Sequence, residues 1–147
     1  MFLAFFALVV SGQLIAQGTQ HAPAAVRRSF QKDYPEARDP QWSSTNGQWH
    51  ADFVDHSPKD RGQMVANYDQ SGHHIDSQIP YDENDVPPTV VYRTQRNYPY
   101  GTNYAYTRIE RPVGNPIFRV DLSLRNKIKT LYEDESGNEQ RYRAHRL

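Results

Sequence analysis

Hydrophobic and polar positions recur along this chain with two different periods, and the period changes at matching places in its two halves. Val26, Phe30 and Tyr34 fall at every fourth position, which puts them on one face of a helix. Pro35 follows. A proline lacks an N–H and restricts the residue before it, so the helix stops there. Val90, Thr94 and Tyr98 repeat the spacing, and Pro99 repeats the stop. Pro23 marks the first helix start, and Val86-Pro87-Pro88 marks the second, with Asp85 expected as its cap. The pattern predicts helices over Ala24–Tyr34 and Pro88–Tyr98.

Beyond each Tyr-Pro the period drops to two, the signature of a strand with one buried face. Trp42 stands eight residues past Tyr34, and Tyr106 eight past Tyr98. A turn signal comes next, Thr45-Asn46-Gly47 in the first half and Pro112 to Pro116 in the second. Trp49, Ala51 and Phe53 then alternate with His50 and Asp52. Phe118, Val120, Leu122 and Leu124 alternate with Arg119, Asp121 and Ser123. Third strands are predicted over Gln63–Tyr68 and Lys127–Tyr132. They end in similar turns, Asp69-Gln70-Ser71-Gly72 and Asp134-Glu135-Ser136-Gly137. Short fourth strands follow over His73–Ile79 and Glu139–Arg143. The implied fold class is α+β: a tandem repeat of a helix followed by a four-stranded antiparallel sheet, with the helices on one face. The first unit spans 21–80 and the second 88–147, joined by an acidic linker over 81–87. Trp42, Trp49, Phe53, Phe118, Val120 and Leu122 are the expected core.

The start of the chain follows neither period. Residues 1–16 carry no charged side chain, and the apolar run Phe2 to Val10 is too short to span a bilayer, which needs roughly 20 residues. It reads as the centre of a signal peptide covering 1–20, with Ala16 near the cleavage point. The expected location is periplasmic or secreted, with no membrane anchor in the mature chain. The chain has no cysteine, so disulfides, thiol catalysis and cysteine-based zinc sites are excluded together. The 17 basic and 17 acidic residues cancel, which argues against nucleic acid as the partner, because each phosphate contact draws on a Lys or Arg excess.

A helix ending Phe30-x-x-x-Tyr34-Pro35, then Trp42, then Trp49-x-Ala51-x-Phe53, then Tyr68-Asp69-x-x-Gly72, resembles the PepSY-like, β-lactamase-inhibitor-like (BLIP-like) periplasmic proteins of Bacteroidetes-type bacteria. The resemblance covers about residues 22 to 143. It implies two units whose sheets join or abut, with the helices on one side. It also implies an inhibitor-like use of the free sheet face to hold another protein. The chain lacks the cysteines that tie loops in the well-known inhibitors, and the motifs it shares are structural, so the resemblance implies the fold more strongly than the target.

Candidate chemistry is sparse. No nucleophile elbow, glycine-rich phosphate loop or zinc-protease helix motif is present, so no enzyme activity is expected. His50 and Asp52 share a strand face, but adjacent His73 and His74 point to opposite faces, and no zinc spacing results. Asp134 to Asn138 lacks the alternating oxygen ligands of a calcium loop. Neither metal nor cofactor is expected. A binding surface is better supported. Asn97 to Arg108 is rich in tyrosine, a residue type enriched at binding hot spots. Tyr106 matches Trp42 and is assigned to the core, leaving Tyr100 and Tyr104 as contacts. With His50, Asp52, Arg119 and Asp121, outward by alternation, they form the expected site for a protein or peptide partner. A structural or accessory role in the cell envelope, without a discrete ligand, is the alternative.

Overall fold

The computed structural model describes residues 21–56 and 62–142. The expected signal peptide lies outside the described residues. Helix α1 (Ala24–Asp33) leads into strands β1 (Gln41–Thr45), β2 (Gln48–Asp55), β3 (Gly62–Asp69) and β4 (His74–Tyr81). A single 3₁₀ turn (Glu83–Asp85) precedes α2 (Pro88–Asn97), followed by β5 (Thr102–Glu110), β6 (Ile117–Leu124) and β7 (Lys127–Glu133). All neighbouring strands pair antiparallel.

The helices end where the sequence predicts. Val26 and Phe30 are the buried face of α1, and Tyr34 leaves helical geometry just ahead of Pro35. Val90 and Thr94 are the buried face of α2, and Tyr98 ends it in the same way. Asp85 does not cap α2. The N-cap is Pro87, no side chain bonds the first turn, and Asp85 sits in the 3₁₀ turn with its own N–H on the Asp82 carbonyl. Two successive prolines explain this. They fix the backbone for helix entry and remove two of the donors a cap would serve.

The strands correct the expected pair of four-stranded sheets. They form one seven-stranded sheet in the order β1 to β7. The join is β4 to β5, with Ser77 opposite Glu110 and Tyr81 opposite Tyr106. Left apart, β4 and β5 would each expose an edge of unpaired N–H and C=O groups; the join satisfies both. The expected fourth strand of the second half is absent among the described residues. Of Glu139–Arg143, Glu139 makes only an isolated bridge to Glu133, and Arg143 lies outside the described residues. Glu139, Gln140 and Arg141 offer no apolar side chain to hold a strand face against a helix, whereas β4 offers Ile79.

Both helices lie on one face. Under α1, Phe30 is the hub of an aromatic cluster with Tyr34 (5.5 Å), Trp42 (5.3 Å), Phe53 (4.9 Å) and Tyr68 (6.4 Å). Under α2, Val86 and Val90 pack on Tyr106, Phe118, Val120, Leu122 and Leu131. Tyr81 touches both clusters and makes the interior continuous. Phe53, Phe118, Val120 and Leu122 are buried as expected, but Trp42 and Trp49 are only half-buried. Trp42 lies on the edge strand β1, so no further strand packs beyond its indole; Trp49 lies on β2 next to the β1–β2 turn, at the end of the sheet pairing.

The turns show why particular residues are needed. Asn46 and Gly47 have φ of +52° and +77°, the left-handed pair of a tight type I′ hairpin. Gly72 has φ +91°, and a Cβ there would stand 2.9 Å from the Ala25 backbone. Gly137 meets the Thr89 carbonyl at the same 2.9 Å. Each Asp-x-Ser-Gly turn is thus pressed under the first turn of a helix. The aspartate holds its turn: Asp69 Oδ1 accepts the N–H of Ser71 (2.8 Å) and of His73 (2.9 Å). Asp134 Oδ1 does the same for Ser136 (2.9 Å) and Asn138 (3.0 Å). Partial burial pushes the Asp69 carboxyl up, but the bonds from Ser71 and His73 outweigh it and hold it at about 2. Gly72→Ala is expected to destabilise the fold by about 1–2 kcal/mol more than Gly62→Ala in urea unfolding. Gly62 has a similar positive φ but nothing within 4 Å of its Cβ position. Equal losses would refute the close-approach argument.

Candidate functional site

Strand alternation sorts the polar side chains by face. Ala51, Phe53, Met64, Ala66, Ile79, Phe118, Val120 and Leu122 face the helices. Their neighbours project to the opposite face: His50 and Asp52 from β2, Asn67 from β3, Asp76 and Gln78 from β4, Thr107 from β5, Arg119 and Asp121 from β6, and Thr130 and Tyr132 from β7. Four of the predicted site residues, His50, Asp52, Arg119 and Asp121, therefore share one face. β2 and β6 are four strand spacings apart, about 19 Å.

Hydrogen bonds bridge that distance. His50 Nδ1 lies 2.6 Å from Asn67 Oδ1, and Asn67 Nδ2 donates to Asp76 Oδ1 at 2.6 Å. The Asn67 oxygen can only accept, so His50 carries its proton on Nδ1. Gln78 Nε2 reaches Asp76 Oδ1 at 3.4 Å, and its oxygen accepts from Arg119 at 3.2 Å. Arg119 also donates to Thr107 Oγ1 at 3.3 Å and pairs with Asp121 at 3.0 Å. Thr130 closes the row by donating to Asp121 at 2.5 Å. The result is a continuous polar row from β2 to β7. Asp52 stands beside it and accepts from Gln63.

The centre of the row is covered. Asp76 is 1% exposed although it is a carboxylate on the face away from the helices. Tyr142 lies over it, donates its hydroxyl to Asp76 Oδ2 and sets its ring 5.0 Å from that of Tyr132. Burial, and after it the bond to Asp76, pushes the Tyr142 phenol well above its ordinary range.

Tyr100 and Tyr104 part company. Tyr100 is 84% exposed, beside a shallow cleft that includes Thr102, Ser123, Asn126 and Ile128. Thr102, Ser123 and Ile128 are in register across β5, β6 and β7, so the cleft lies at one end of the open face. Tyr104 is not an open-face contact. It is half-buried against the α2 core, donates to the Tyr98 carbonyl at 2.9 Å and stacks on Tyr106 at 6.5 Å. Two residues from buried Tyr106 on one strand, it must share the helix side. The sequence reading missed Asn67, Asp76, Gln78, Tyr132 and Tyr142. Alternation around Ser77 and Ile79 points to Asp76 and Gln78, but no local signal brings Tyr142 to them.

No family model and no curated protein matches the sequence. Solved structures do resemble the fold. A Bacteroides eggerthii protein described as periplasmic aligns with a TM-score of 0.72 at 20% identity, covering 83% of this chain and 88% of its own. A DUF2874 family protein from Bacteroides uniformis gives 0.72 at 22% identity, covering 82% and 88%. A BLIP-like protein from Bacteroides fragilis gives 0.69 at 20% identity, covering 84% and 86%. The chain has the fold of these Bacteroides proteins.

Proposed function

We propose that this chain, folded like the BLIP-like Bacteroides proteins, is an exported, non-enzymatic binding module that recognises a protein or peptide through the sheet face opposite its helices. The observation that carries this reading is the polar row from His50 to Thr130. It crosses five strand spacings, about 24 Å, which is the scale of a protein footprint and longer than a small-molecule pocket requires. Its mixed charge, with Arg119 between Asp121 and Gln78 and Tyr100 at one end, suits a protein surface and suits nucleic acid poorly. Export is supported by the uncharged apolar start of the sequence and by the periplasmic description of one structural neighbour. An inhibitor-like role is the form of binding that the BLIP-like neighbour suggests.

Capture from a periplasmic extract tests this. The expected result is one stoichiometric partner. Arg119→Ala weakens it by about 1–2 kcal/mol, roughly tenfold. Arg96→Ala, on the exposed side of α2, leaves capture unchanged. Retention by the Arg119 variant together with loss in the Arg96 variant would place binding on the helix side and overturn the reading. Recovery of no stoichiometric partner would favour the accessory envelope role.

A further inference from the structure

We infer that the open sheet face contains a receptor for a tyrosine side chain, filled within the chain by Tyr142 and available to a tyrosine presented by a partner. The inference rests on the proposed binding role of this face and names the side chain it would take. Three features make the site more than a surface contact. Its acceptor, Asp76, is 1% exposed, so the carboxylate has been taken from water and must be satisfied by protein donors. Two of those donors are built into the sheet: the Asn67 amide at 2.6 Å and the Gln78 amide at 3.4 Å, both on Oδ1. The other oxygen, Oδ2, takes the phenol of Tyr142. The Asn67 amide is oriented in turn by His50, and Gln78 by Arg119. The sheet therefore aims a fixed carboxylate lone pair at a phenol, and Tyr132 supplies a ring beside it at 5.0 Å.

The occupant reaches the site from 66 residues away in sequence, two residues beyond the point where the Glu139–Glu133 bridge and the Gln140 N–H on the Tyr132 carbonyl (2.6 Å) anchor the chain to β7. Tyr142 itself makes its described contacts, the bond to Asp76 and the ring contact with Tyr132, through its side chain. A tether of this kind raises the local concentration of the phenol but does not change the site's chemistry. A partner's tyrosine with its own flanking contacts can therefore take its place.

The test uses no natural partner. The probe is the tripeptide Gln-Arg-Tyr, capped at both ends and matching residues 140–142, titrated into nitrogen-15-labelled protein carrying Tyr142→Ala. Saturable shifts are expected at the amides of Asn67, Asp76, Gln78 and Tyr132. The peptide with Phe in place of its tyrosine should bind at least about tenfold more weakly, since a hydrogen bond to a charged acceptor is lost. Adding Asp76→Asn should weaken the tyrosine peptide similarly. Should Tyr142→Ala fail to fold, Tyr142→Phe serves. It keeps the ring and loses only the hydroxyl, so the tripeptide should displace it at least about threefold more readily than it displaces the native side chain. Equal binding of the Tyr and Phe peptides, or shifts away from those four amides, overturns the inference. The two tests fail separately: absence of a periplasmic partner does not alter the titration, and a failed titration leaves capture through Arg119 intact.

Discussion

Phe53→Ala is expected to lower the free energy of unfolding by about 3–5 kcal/mol, measured as a shift of the urea midpoint at unchanged slope. Phe53 is 3% exposed and sits between two rings of α1 and its end, Phe30 at 4.9 Å and Tyr34 at 4.7 Å. Removing the ring takes away the apolar area and leaves a cavity. The surroundings cannot close over it, because β2 is paired along both edges, with Met64 of β3 opposite Phe53 and Ala51 opposite Trp42 of β1. Phe30 would lose its nearest ring contact at the same time, keeping only Trp42 and Tyr68 of the sheet, so α1 loosens with the cavity. Trp42→Ala is a useful contrast. The indole is larger, but it is half-buried on the edge strand, so its loss should cost less than that of Phe53. A Phe53 cost under about 1 kcal/mol would mean that the aromatic cluster does not hold helix to sheet.

The parts of this fold that were legible in the sequence are those governed by spacing. Val26, Phe30 and the proline after Tyr34 determine a short helix and its end. Ala51 and Phe53 against His50 and Asp52 determine which side of β2 is dry. The same alternation on β6 brought Arg119 and Asp121 to the face that carries His50 and Asp52. It also puts Tyr104 on the face of Tyr106, which is the helix side and not the face of Arg119. Spacing does not say which strand lies beside which. The β4–β5 pairing depends on two edges that both need partners, and the sequence leaves them anonymous. The burial of Asp76 is further still from local pattern, since Tyr142 covers it from the far end of the described chain. An apolar repeat would have marked a strand at Glu139–Arg143. The residues there are polar, and the one ring among them, Tyr142, turned to the other face of the sheet.

Glu133→Gln is expected to stabilise the protein at neutral pH by about 1–3 kcal/mol, with the gain fading as pH falls toward about 4. The position explains why. Tyr68 and Glu133 each stand just before an Asp-x-Ser-Gly turn, and Phe30 and Thr94 each occupy the middle of a buried helix face. In the first half two rings meet there, Phe30 and Tyr68 at 6.4 Å. In the second half Thr94 meets a carboxylate: its hydroxyl lies 3.0 Å and 2.9 Å from the two oxygens of Glu133, which is 0% exposed. One hydroxyl proton is little compensation for a buried charge. Burial pushes the Glu133 carboxyl up. Thr94 opposes that by its hydrogen bond, Glu139 and Asp134 add to the rise, and Arg93 works against it. In the unfolded chain the group titrates in the ordinary carboxylate range. Between that range and the raised folded value the native state binds more protons, so stability is greatest below the window and falls as pH rises through it. Glutamine keeps the shape, offers an oxygen to Thr94 and never ionises. The variant should therefore exceed the parent at about pH 8 and converge with it near pH 4 in urea unfolding series. A difference that stays flat across that range would show that Glu133 is ionised as readily inside the fold as outside it.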